Sequence, residues 1–480
     1  MASGQSGHFA GMDDAADWQR SGYAGQRLDR VEQLPARGCR DCHMPVEAHG
    51  VGRSHRFVGG HTWLAAARGD AQQLSRTQAR LRAALALDVV VVDAAGLPLE
   101  EGAQTAFAVD VLLTNVGAGH RFPGGTRDAH ATWVQVQQYR GERLVAQTDR
   151  TGQTHVLRAL LVDAVGKPAA ARAVEQFAAV AYDHTIAAGD TRAVRFVLLP
   201  VPTTRVVVRV WHQSRPHALQ QRACQQRQQQ DSFDPCAAQP MTLLAQQLIP
   251  LVSAPASATT LLRLGRGLQH ALGSELGQAR SVLMLGLARS VGADERAALQ
   301  LELAKVAVAQ GRGAEAERWL AEVAKNGDEQ AAVSWWHARH LQATWRHQAA
   351  VQPLRTLWRS DRRDVRVARR LAATLGVLGA EREALEVVAA GLSRQPRDAA
   401  LLRLQWQAYG ALRRPAVAAR MVSHWAYLLH QPRPDAAWLA ARCGAWDVDC
   451  ARERVPGHQH RLVAVSGARA TAVSRPGGAR

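Results

Sequence analysis

Cys39-Arg40-Asp41-Cys42-His43-Met44-Pro45 is the stretch around which the rest of the chain is organised. Two cysteines two residues apart, with a histidine directly after the second, form the attachment signature of c-type haem. The chemistry needs that spacing. Cys39 and Cys42 form thioethers to the two vinyl groups, and His43 then lies under the ring as the proximal iron ligand. With 6 Cys and 19 His in 480 residues, such a pentapeptide arises by chance roughly 0.003 times per chain. A zinc site would want a second ligand pair of similar spacing, and the sequence has none. A thioredoxin-like pair would want a strand-helix context, whereas Gly38 and Pro45 bracket a loop.

A six-coordinate haem iron needs a second ligand on the far face of the ring. Met44 adjoins His43 and cannot swing there. His55 and His61, in Ser54-His55-Arg56-Phe57-Val58-Gly59-Gly60-His61-Thr62-Trp63, are near candidates, as is His49; His8 and His120 are more remote. Proximity favours His55, then His61, with His49 and His120 kept as alternatives. Upstream, Asp17 stands at the start of a short helical stretch, and Leu64 to Leu85 reads as a helix leading out of the segment. Residues 1–84 thus form a small helical or irregular haem-binding segment.

Residues 86–213 change character. Ala86–Asp93, Thr105–Thr114, Thr132–Tyr139, His155–Val162, Arg192–Leu199 and Arg205–Trp211 are β-branched or alternating runs separated by Gly- and Pro-containing turns. Short strands at this spacing predict an antiparallel β-sandwich. Within it, Asn115-Val116-Gly117-Ala118-Gly119-His120-Arg121-Phe122-Pro123-Gly124-Gly125 is a Gly/Pro-rich loop carrying His120, readable as a structural loop or as one facing the haem. Residues 214–258, rich in Gln and then Pro, read as a linker.

Residues 259–440 are helical and repetitive. Ala316, Ala350, Ala384 and Ala418 recur every 34 residues, and Ala304, Ala338 and Ala372 share the register with Trp406. So do Ala307, Leu341, Leu375 and Tyr409, and Leu320, Leu354, Val388 and Val422. Small residues at that period, where two helices cross closely, are the tetratricopeptide pattern. Such repeats predict an all-α solenoid whose concave face docks a peptide or partner protein. Trp335, Trp336, Trp345 and Trp358 are candidates for that face or for the core. Residues 452–480, rich in Gly, Arg, Ser and Ala, read as a disordered tail.

The fold expected is therefore multidomain. The net charge of +18 comes almost wholly from Arg spread along the chain, with no dense basic run, so no nucleic acid is expected as a partner. No apolar run reaches 18 residues, and no transmembrane segment is expected. The four cysteines outside the haem box fall as two local pairs, Cys224 with Cys236 and Cys443 with Cys450, which suits two short disulfides and an oxidising compartment, the periplasm. Export is also what covalent haem requires. Met1 to Gly11 shows no signal peptide, which points to a start site placed too late.

The Cys-Arg-Asp-Cys-His-Met-Pro box, the Trp18-x-x-Ser21-x-Tyr23 stretch before it, Ser54 to Gly60 after it and the Gly119-to-Gly125 loop together resemble the multihaem cytochrome c family. More specifically, they are similar to its members with C-terminal tetratricopeptide repeats. The resemblance covers about residues 8–213. It implies a periplasmic electron-transfer role with a redox partner protein. The chain departs from the family in carrying one attachment motif where its members carry several. Two other readings remain: a multihaem redox enzyme acting on small nitrogen or sulfur compounds, and a tetratricopeptide scaffold with a vestigial haem site. A conventional hydrolase finds no motif here: there is no Gly-x-Ser-x-Gly, phosphate loop or His-Glu-x-x-His.

Overall fold

The computed structural model describes residues 13–417 apart from 33, 48, 49, 51, 100–105, 149–153, 164, 228–233, 252–254, 271–274, 326–329, 397, 415 and 416. His8, His49, Cys443, Cys450, Ala418, Val422 and the tail lie outside these residues. Two compact units divide the described chain between Arg346 and His347, inside the stretch read from sequence as one helical domain.

In the first unit, short helices α1 (Asp14–Gln19), α2 (Cys39–His43), α3 (Thr62–Ala67) and α4 (Ala71–Ala84) precede the sheets. Asp13, not Asp17, caps α1 by accepting from the Ala16 N–H, and Asp70 caps α4 by accepting from the Gln73 N–H. The single helix expected from Leu64 to Leu85 is thus broken at Gly69, and its last residue already belongs to a strand. Strands β1 (Leu85–Val92), β2 (Ala108–Asn115) and β8 (Thr191–Val197) form one antiparallel sheet in the order β1-β2-β8. A second sheet runs β10-β9-β3-β4, from β10 (Thr242–Pro250), β9 (Arg205–Gln213), β3 (Ala131–Arg140) and β4 (Arg143–Gln147), with β5 (Val156–Leu157) pairing β3. A separate hairpin joins β6 (Ala159–Val162) to β7 (Ala179–Asp183). Val89, Val91, Val109, Val111 and Leu113 of the first sheet share one buried cluster with Val134, Val136, Val206, Val208, Val210 and Leu244 of the second. Burial of these side chains is what holds the two sheets together.

The expected linker is corrected here. Residues 214–258 contain α5 (His217–Gln225), a Cys224–Cys236 disulfide and β10, which pairs along β9 from Thr242 to Pro250. The Gln and Pro content hid a strand that buries Thr242, Leu244 and Ile249 but shifts register between Leu243 and Ala245. That bulge breaks the strict alternation on which strand reading depends.

Helices α6 (Ala258–Gln269), α7 (Leu276–Arg289), α8 (Ala293–Ala309), α9 (Gly313–Ala324) and α10 (Gln330–Ala343) complete the first unit. Each packs on the next, while α6 also touches α8, and α8 also touches α10. The second unit holds α11 (His347–Ser360), α12 (Val365–Val377), α13 (Glu381–Arg394) and α14 (Ala399–Ala411). The periodic residues fall where the register demands. Ala304, Ala338, Ala372, Ala316, Ala350, Ala384, Leu320, Leu354 and Val388 are all buried. The backbone repeats as well: Gly311, Trp345, Gly379 and Arg413, each 34 residues after the last, all have positive φ, at 71°, 61°, 73° and 55°. Trp335, Trp336 and Trp358 are core residues, whereas Trp345 is 84% exposed. Among the described residues, no helix is long and apolar enough to cross a membrane.

Candidate haem site

The attachment box is a single helical turn, too short to persist on its own. It is fixed from outside. Gly38 N–H donates to the Asp41 carboxylate at 2.8 Å, and Asp41 pairs with Arg53 at 2.8 Å. The backbone hydrogen bond from Gly38, then Arg53, holds the exposed Asp41 below its ordinary pKa. Arg53 also donates to the carbonyls of Arg40 and Met44, closing the end of the turn. Cys39 is exposed and Cys42 half-buried, both as free thiols. Their spacing of three puts them on one side of the turn.

His43 is oriented by the segment that follows. Its Nδ1–H donates to the Val58 carbonyl at 2.5 Å, and the Phe57 ring stacks on the imidazole at 4.4 Å with planes 1° apart. A carbonyl can only accept, so Nδ1 carries the proton and Nε2 keeps its lone pair. Burial keeps the ring below the ordinary histidine pKa, and hence neutral. Val46 (58% exposed) and Phe57 (61% exposed) flank the box and present apolar surface of the kind a porphyrin covers.

His120 comes from the Gly/Pro-rich loop between β2 and β3, and the structure places it beside His43. The ring centres are 6.0 Å apart and the planes differ by 6°. His120 Nδ1 donates to the Arg121 carbonyl at 2.8 Å, so it too keeps its Nε2 lone pair. Asn115, buried at the end of β2, fixes this loop. Its amide donates to the carbonyls of His120 (2.8 Å) and Ile186 (3.0 Å), and its oxygen accepts from the Ala118 N–H (3.0 Å). Tyr23 donates to the Val116 carbonyl at 2.8 Å. A Cβ on Gly124 would strike the His120 ring, so glycine leaves the room that ring needs. Asp14 of α1 accepts from the Gly125 N–H at 2.7 Å and lies 3.9 Å from His120 Nδ1. Arg127 binds Asp14, Asp17 and Asp183 together, tying α1 to the loop.

Proximity along the sequence put His55 and His61 ahead of His120, and the structure places His120 beside His43. His55 is exposed at a tight turn, and His61 faces a different group. The His61 ring lies 5.4 Å from that of His130, which lies 5.4 Å from that of His212. His212 bonds Thr132 Oγ1 (2.7 Å) and the Gly60 carbonyl (3.0 Å), and His130 bonds the Gly124 carbonyl (3.1 Å). Burial lowers His212 to about 4 and His130 well below its ordinary value. These two histidines anchor Gly60 and Gly124, one on each segment of the site, to the second sheet. Nothing in the sequence marked them, because their closeness depends on strand register: His212 pairs across from Thr132.

The donor set fits a haem. Two thiols stand on one turn, and two imidazoles each have Nδ1 held by a carbonyl and Nε2 left to bind. Tethering of the second ring nitrogen is the usual orienting device for metal-bound histidine. Among the described residues, no three His, Cys, Asp or Glu side chains are grouped to hold a bare ion. Haem iron brings four nitrogens of its own and asks the protein for only two.

No protein family matches the chain, and no characterised protein matches it by sequence. It is similar in structure to a penta-haem cytochrome c552 from Thermochromatium tepidum, at 17% identity and a TM-score of 0.34. That match covers 50% of this chain and 51% of the cytochrome, so the chain spans about half of that protein. It is also similar to YrrB, a tetratricopeptide protein described with an unusual peptide-binding site, at 17% identity and a TM-score of 0.31, covering 38% of this chain and 90% of YrrB. MamA from MSR-1 gives 17% identity and a TM-score of 0.28, covering 36% and 94%. Likenesses this distant add nothing to the argument from the residues.

Proposed function

We propose that the chain binds haem c covalently and works as an electron carrier, docking its partner through tetratricopeptide repeats. On this reading, two sheets around a shared core are the β-sandwich, and the helix pairs are the solenoid. The observation that carries the reading is the pairing of His43 with His120, both tethered at Nδ1. Cys39 and Cys42 form the thioethers, His43 is the proximal ligand, and His120 takes the distal position in preference to His55. When bound, the iron supplies one-electron chemistry. The protein's part is to hold both imidazoles in place through Val58, Arg121 and Asn115. Two histidine ligands set a lower reduction potential than a His/Met pair. The Cys224–Cys236 disulfide suits an oxidising compartment, and the periplasm is the location proposed.

The test is a pyridine haemochrome spectrum on protein exported into a periplasm with haem-attachment machinery, beside a Cys39→Ala/Cys42→Ala control. A covalent c-type signal that the control lacks is expected. In the same host, His120→Ala should lose the low-spin six-coordinate spectrum and His55→Ala should keep it. The reverse pattern would return the distal position to His55, and no covalent haem in the wild type would sink the carrier reading.

A further inference from the structure

The helical array carries a charge arrangement that its own helices leave unbalanced. On α6 and α8, Arg266 and Lys305 both bind Glu302, each at 2.8 Å, and the three side chains are 10%, 11% and 3% exposed. Gln269 adds a neutral bond to Glu302 at 3.0 Å. Two buried cations thus face one buried carboxylate. Leaving a buried charge unpaired is costly, so the face calls for a second anion. The N-terminal segment supplies it: Glu32 accepts from Arg266 at 2.7 Å while its side chain stays 38% exposed. Burial would raise the Glu32 pKa, and the Arg266 guanidinium overrides it, so the group is held ionised. Lys305 also binds the Asp29 carbonyl at 2.5 Å. Leu28 is buried, and Arg30 donates to the carbonyls of Ala188 and Gly189.

These are contacts by which a peptide segment is recognised: a lysine on a main-chain carbonyl and an arginine on a carboxylate, beside a buried apolar side chain. The row continues along α10, where Arg339 lies over the Trp336 ring at 4.0 Å and Lys305 lies 5.5 Å from it on the other helix. We propose that the face of α6 and α8 is a recognition site for a turn-forming, carboxylate-bearing protein segment. The chain's own residues Leu28–Glu32 fill it in cis, and a partner's acidic segment of the same pattern takes their place. The inference rests on reading the helices as a peptide-binding array and is independent of the haem.

The site is tested on the full chain with a labelled, end-blocked peptide of residues 26–34, read by fluorescence anisotropy. Wild type, Glu32→Gln and Leu28→Ser/Glu32→Gln are compared, with amide exchange over residues 26–34 reporting whether the cis segment has left. Loss of one charge-assisted hydrogen bond is worth about tenfold or more in affinity. The opened variants should therefore bind the peptide at least about tenfold more tightly than wild type, and a peptide with Gln for Glu32 should lose that gain. A released segment with no gain in peptide binding would overturn the proposal, as would equal binding of the two peptides. So would a segment that stays protected in both variants. Peptides selected from a random library that bind elsewhere on the helices would keep the array a peptide binder and remove only this face.

Discussion

Replacing Arg413 by glycine should stabilise the C-terminal helical unit. Residues 311, 345, 379 and 413 occupy the same turn of successive repeats, all with positive φ. Glycine fills two of the four positions. At the other two, a Cβ is held against the following carbonyl, at about 1–2 kcal/mol per residue. Glycine removes that strain but adds unfolded-state freedom of about 0.4–1 kcal/mol. Arg413 is exposed, so little packing is lost with its side chain. The net expectation for Arg413→Gly is a gain of about 0.5–1 kcal/mol. Gly379→Ala, at φ 73° with open space around the added carbon, should lose a similar amount. The assay is urea unfolding followed by far-ultraviolet circular dichroism, with the midpoint moving and the slope unchanged. A destabilised Arg413→Gly, or a neutral Gly379→Ala, would refute the claim that this turn stores strain.

Two further outcomes concern stability. Burial would raise the Glu302 pKa, but Lys305 and then Arg266 lower it from 4.5 to about 2, so its contribution is complete above pH 4.5 and disappears as the pH falls through 2. Acid unfolding followed by circular dichroism should show that loss, and Glu302→Gln should remove about 3 kcal/mol at neutral pH, leaving Arg266 and Lys305 short of an anion. Cys224→Ser/Cys236→Ser should cost about 2–3 kcal/mol, the usual worth of closing a short loop, measured by thermal unfolding with and without reductant; wild type and variant should converge once reduced.

What the sequence disclosed and what it withheld divide along a physical line. Local patterns were legible. The Cys-x-x-Cys-His box can be read directly because its spacing is a property of five consecutive residues. The repeats declare themselves because Ala304, Ala338 and Ala372 must stay small wherever helices cross. The β-branched runs read at Thr105–Thr114 and Arg205–Trp211 overlap β2 and β9. Features that depend on two distant segments were not legible. Proximity along the chain put His55 ahead of His120, whereas Asn115 and the β2–β3 connection place His120 beside His43 in space. The run His155–Val162 read as one strand, yet it splits into β5 and β6, which pair with β3 and β7 respectively. Glu32 and Arg266 each look like ordinary surface charges until the fold puts one on the other.

His43 and His120 sit on different segments of the first unit, one on an isolated turn and the other on a loop rooted in the sheets. An iron bound by both would act as a cross-link closing a long loop, and such closures restrict the unfolded chain more as the loop lengthens. Cys39, Cys42 and His43 share one local turn, whereas the place of His120 depends on Asn115, which docks its loop against Ile186. A haem held by both His43 and His120 would then report, through its spectrum, whether the β-rich part has folded.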